Sequence, residues 1–166
     1  MQPLCASIFA KISEQQERTE HLLALIPADH LDWAPPIAGA WPFGQLLGHW
    51  LDCLAGVCAV LHAAHPDLLA HFAELRKLPV NGNCTRAEAL AGMSIYRRHI
   101  AEGFAALTDD DLARKLPTVF VAEGESVLTL LLGNLEHLVN HKHQLFTGLK
   151  LAGVPAGTAD LYAIRG

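Results

Sequence analysis

An all-α four-helix bundle is the fold this sequence predicts, on three observations. Four segments carry apolar residues at helical spacing, no pair of alternating stretches is joined by a hairpin turn signal, and 51% of the 166 residues are apolar. That length suits one domain over residues 1–166, with a core large enough to stand without disulfides.

The first pattern runs from about Leu4 to Ile26, with Leu4, Ile8, Ile12, Leu22, Leu25 and Ile26 on one face and Pro27 as its stop. Asp29 to Trp41 is rich in Pro and Gly and reads as a crossing loop pinned by Trp33 and Trp41. Pro42 suits the first turn of a second helix, which continues through Leu46, Leu47, Leu51, Leu54, Val57, Val60 and Leu61 to Pro66. Asp67 to Lys77 offers at most a few further turns before the loop at 79–83.

Thr85 with Glu88 has the form of a capping box, and Leu90, Met93, Ile100, Phe104 and Leu107 carry a third helix over about Arg86 to Leu107. Thr108 to Gly124, broken by Pro117 and Gly124, makes a long irregular connection between helices three and four. Residues 118–121 there read as a brief extended stretch or a loop, and no sheet is expected. Ser126 caps the last helix, which carries Leu128, Leu131, Leu132, Leu135, Leu138, Leu145 and Leu149 to Gly153. The tail from Ala156 reads as an extended arm on the bundle.

Composition excludes several classes of function. No uninterrupted apolar run reaches the ~18 residues of a membrane span, and no basic stretch leads into a hydrophobic segment at the start. Cys5, Cys53, Cys58 and Cys84 form no C-x-x-C pair, which in a domain of this size indicates reduced thiols and a cytoplasmic location. Twelve basic against 17 acidic side chains, scattered along the chain with net charge −5, disfavour nucleic acid as a partner.

The chain holds ten histidines, and their spacing singles out two. His137 and His141 are one helical turn apart, so they emerge only ~40° apart around the helix and can converge on one ion. Such pairs also arise on solvated helix faces, so the spacing alone leaves both readings open. His143 is rotated ~160° from His141 and should not be a ligand. Leu130, Gly133, Asn134, Gln144 and Gly148 share the face of the pair, a small and polar notch that suggests a cavity. An open metal site needs a third ligand from another element, and His49, at the margin of the apolar face of helix two and one turn before Cys53, is the candidate.

Trp41-Pro42-Phe43-Gly44-Gln45-Leu46-Leu47-Gly48-His49, followed by Glu136-His137-Leu138-Val139-Asn140-His141-Lys142-His143-Gln144-Leu145, resembles the DinB/YfiT-like family of metal-dependent four-helix-bundle proteins. The resemblance extends over the whole chain. It implies a divalent ion, nickel or zinc, held by His49, His137 and His141, and a thiol transferase or isomerase chemistry with a low-molecular-weight thiol as cofactor. The sequence departs from that family's pattern at Pro42, where Ser or Thr is common, and at Lys142-His143, where Arg-Gly is usual.

Asn134 and Gln144 flank the pair and either orient a ligand or act as outer supports. Arg97 lies on the apolar stripe of helix three, where it either snorkels to the surface or faces the cavity to hold an anionic group. Cys53 offers a competing arrangement, a closed shell of one cysteine and three histidines that would make the metal structural. A non-catalytic stress-related bundle that binds metal or ligand is the second functional reading. Leftover apolar positions make a homodimer the expected assembly.

Overall fold

The computed structural model describes residues 1–79, 82–118 and 121–163. Val80, Asn81, Val119 and Phe120, on which two of the loop expectations fall, lie outside the described residues, as does the end of the tail. Four long helices dominate: α1 (Pro3–Ala24), α2 (Phe43–Ala64), α3 (Arg86–Ala106) and α4 (Val127–Leu151), with a short α5 (Thr158–Leu161) in the tail. Between α2 and α3, Ala70–Lys77 forms a 3-10 segment.

Each helix starts where a donor-rich end finds an acceptor. The carboxylate of Asp109, from the α3–α4 connection, accepts the N–H groups of Leu4 (3.2 Å) and Cys5 (2.9 Å) at the head of α1. Pro42 is not inside α2 but immediately before it, where its carbonyl accepts Leu46 N–H at 2.9 Å. The Thr85–Glu88 capping box opens α3, and Ser126 Oγ accepts Thr129 N–H at 3.0 Å to open α4. At the far end of α4, Gly153 takes φ +80°, and Val154 N–H returns to the Leu149 carbonyl at 3.0 Å.

Around the bundle the order is α1, α3, α2, α4, because α2 packs on α3 and α4 while α1 packs on the other sides of the same two helices. Consecutive α1 and α2 are therefore diagonal, as are α3 and α4, which is why both connections are long. The α2–α4 seam runs antiparallel, with Phe43 against Gly148 at one end and Gly56 against Asn134 at the other. In contrast α2 and α3 run parallel, with Leu51 against Gly92 and Leu61 against Gly103. The described residues between them, 65–79 and 82–85, therefore lead back along the bundle. They arrive at the start of α2, where Cys84 N–H meets the Gly44 carbonyl at 3.0 Å.

Two glycines one turn apart permit that arrival. A Cβ at Gly44 would collide with the Asn83 side chain, and one at Gly48 with the Gly82 carbonyl. The loop thus lies directly on the first turns of α2, beside His49.

The core is a single cluster of aliphatic and aromatic side chains from all four helices, including Ile12, Leu22, Leu54, Met93, Phe104 and Leu138. The 22-residue α2 contains an 18-residue window of mean hydropathy 1.5, the length and apolarity of a membrane span. Its apolar face is explained by its place in the bundle, packed on both α3 and α4.

Two further expectations are corrected. A small antiparallel ladder pairs β1 (Lys115–Leu116) with β2 (Glu125–Ser126), where no sheet was expected. Two residues per strand are too few to show alternation, and the turn depends on Gly124 at φ +76°. The tail is not extended throughout. Asp160 accepts Gly157 N–H at 2.8 Å and meets His21 Nε2 at 3.0 Å, so one short helical turn is fastened to α1.

Candidate metal centre

The antiparallel α2–α4 seam carries His49 to the level of His137 and His141. His49 Nε2 lies 3.0 Å from His141 Nε2 and 3.4 Å from His137 Nε2. Two nitrogens bound at about 2.05 Å to one tetrahedral ion would be about 3.3 Å apart, so these separations match an edge of a coordination polyhedron. Cys53 Sγ completes a group whose potential ligand atoms all fall within 4.8 Å of one another.

The donor chemistry fits a divalent ion. Gln144 Oε1 can only accept, so His141 Nδ1 donates to it at 2.8 Å, which leaves the Nε2 lone pair of His141 directed at His49. Both His141 and His137 are held below the ordinary histidine range, first by desolvation and then by the neighbouring imidazoles, so they remain neutral ligands. Asp52, one turn after His49, places a carboxylate oxygen 3.9 Å from His49 Nδ1, the ring nitrogen that does not face the other two imidazoles.

Cys53 is differently engaged. Its thiol donates to the His49 carbonyl at 3.3 Å, and burial pushes it up to about 12, so in this arrangement it is a core thiol rather than a thiolate.

Trp41 closes one side. Its ring lies nearly parallel to His141 (centroids 6.2 Å, 8°) and edge-on to His49 (4.7 Å, 75°). Beyond it opens a cleft of about 470 Å³ between the 35–41 loop and the last turns of α4, with His141 and Gln144 in its wall.

The other sequence candidates separate. Asn134 lies in the α2–α4 seam against Gly56, and its amide donates to the Leu130 carbonyl at 2.8 Å, so it is two turns from His141 and part of the packing. Arg97 is on the far side of α3 as seen from the trio, paired with Glu20 of α1 at 2.7 Å, so it holds no group in the cleft. Of the polar notch, Gln144 and Gly148 line the cleft, whereas Gly133 faces open space. Lys142 is buried in the α1–α4 seam with Nζ donating to Gln15 Oε1 at 2.9 Å, and His143 stands in the cleft wall.

Two contributors escaped the sequence reading. Asp52 had a usable signal, the i, i+3 step from His49 on one helix. Trp41 was read as a loop anchor and as the first residue of the motif ending at His49, but the spacing did not show that its ring lies against the imidazoles.

The DinB superfamily model matches residues 11–145 of the chain. Among solved structures, a DinB-like protein from Bacillus subtilis, YjoA, has a TM-score of 0.67 at 18% identity, covering 89% of this chain and 92% of that one. At that identity the likeness is one of fold. No curated protein matches the sequence. With a family model spanning most of its length and a helical fold shared with a DinB-like structure, the chain belongs to the DinB superfamily.

Proposed function

We propose that this protein is a metal-dependent enzyme of the thiol transferase or isomerase type, with nickel or zinc held by His49, His137 and His141. The observation that carries the reading is the mutual approach of three imidazole Nε2 atoms from two helices. Three neutral nitrogens leave coordination positions for an exchangeable ligand, the layout of catalytic rather than structural sites. An ion there would polarise a substrate oxygen or favour a small thiol as its thiolate.

The protein's own residues have definable parts in this. Gln144 holds the His141 tautomer, and Asp52 sets a carboxylate beside the outer nitrogen of His49. Trp41 excludes water from one flank of the imidazoles. None of the described groups around the trio is an activated side-chain nucleophile, since the Cys53 thiol is raised and committed to a backbone carbonyl. A small external thiol would supply that role.

The proximity of Cys53 supports a second reading, a closed shell of three histidines and one cysteine. Cobalt substitution separates the two. The enzyme reading expects no sulfur-to-cobalt charge-transfer band in the cobalt protein alone, and such a band on adding 2-mercaptoethanol, in wild type and Cys53→Ala alike. A band present before thiol is added and lost in Cys53→Ala would establish the closed shell. No band in either state would sink thiol chemistry.

A further inference from the structure

We infer that the cleft beside His141 receives an uncharged, largely apolar small molecule, with its apolar part against Ile37, Ala38 and Trp41 and its polar end at Gln144 and Thr147. Calling that molecule a substrate rests on the metal-centre reading above; its chemical class rests on the cleft itself.

The volume of about 470 Å³ lies within the range of small-molecule sites. Its walls are unlike. The loop wall is apolar throughout, and Ile37 is held 59% exposed, an apolar side chain kept at the rim with little to cover it. The helix wall supplies neutral polar groups. Gln144 gives its Oε1 to His141, so it presents its NH2 group as donor, and Thr147 one turn on adds a hydroxyl.

Among the described residues no Asp, Glu, Lys or Arg lines the cleft, and the titratable side chains there are the imidazoles of His141 and His143. With no ion bound, a phosphate or carboxylate seated among these side chains would lose water without gaining a countercharge from them, so the metal-free cleft selects against charged ligands. Arg97, the cation that sequence offered for an anionic group, is engaged with Glu20 between α1 and α3. The cleft also shares His141, Gln144 and Trp41 with the metal centre, so a molecule seated there lies beside the proposed chemistry.

Two fluorescent probes with one ring system test this: N-phenyl-1-naphthylamine, which is uncharged, and 8-anilino-1-naphthalenesulfonate, which carries a sulfonate. The full chain, freed of metal, should bind the uncharged probe at least about tenfold more tightly than the sulfonate, the penalty of an uncompensated charge. Thr147→Trp, which fills the cleft, and Ala38→Asp, which places a carboxylate in the loop wall, should each weaken the uncharged probe by about tenfold or more. His137→Ala, outside the lining, should lose zinc and keep the probe. Failure of the uncharged probe to bind, equal affinity for the sulfonate, or indifference to both cleft variants would overturn the inference. Zinc retained in His137→Ala with the probe pattern intact would remove His137 from the metal centre and leave the cleft's ligand class standing.

Discussion

The hydrogen bond from His141 Nδ1 to Gln144 Oε1 at 2.8 Å decides what His141 can offer an ion. Without an acceptor there, the ring can place its proton on Nε2 and lose its ligand lone pair. Gln144→Leu is therefore expected to lower zinc affinity by about 10–100-fold, measured by competition with a chromophoric chelator, while helicity is unchanged. An unaltered affinity would make Gln144 a cleft residue only. The pair His137 and His141 was legible because helix geometry alone fixes where i and i+4 side chains point. Gln144 was visible as a neighbour, but its direction depends on a rotamer. Arg97 was misplaced in one of its two readings because the stripe on α3 shows that it faces a neighbouring helix, not that the neighbour brings Glu20.

At the scale of elements, the start of α2 depends on two glycines that let the 82–84 loop rest on the helix. Gly48→Ala drives a methyl group into the Gly82 carbonyl, and a loss of about 1–3 kcal/mol in denaturant unfolding is expected. A stabilised variant would mean that the loop moves freely aside. The head of α1 depends on Asp109, whose carboxyl is held below its ordinary range, first by the Cys5 N–H bond. A depressed carboxyl contributes fully above its unfolded value near ~3.9 and loses that contribution as pH falls through the lower folded value. Acid unfolding of wild type should therefore be steeper in that window than that of Asp109→Asn; identical profiles would show that the cap carries no linkage. The four long helices were legible from periodicity and caps because those signals are local. The β1–β2 ladder and the α5 turn were not, since each rests on a few residues paired by a turn or by contact with α1.

For the whole molecule, the order α1, α3, α2, α4 brings two helices far apart in sequence into one antiparallel seam. The helical signals gave no indication that consecutive helices stand on diagonals, because apolar stripes record that a face is buried and not which helix covers it. The long connections were the available trace of that topology, and they were legible as loops without their destinations. His49 was assigned by its place at the margin of an apolar face and by family resemblance; the seam supplies the distance. The metal content of the folded chain therefore decides whether the three histidines form one site. Untagged protein reconstituted with zinc or nickel and freed of excess metal should carry about one divalent ion per chain, and His141→Ala should carry little or none while remaining folded. No bound metal in wild type, or the same content in both proteins, would contradict the three-histidine site.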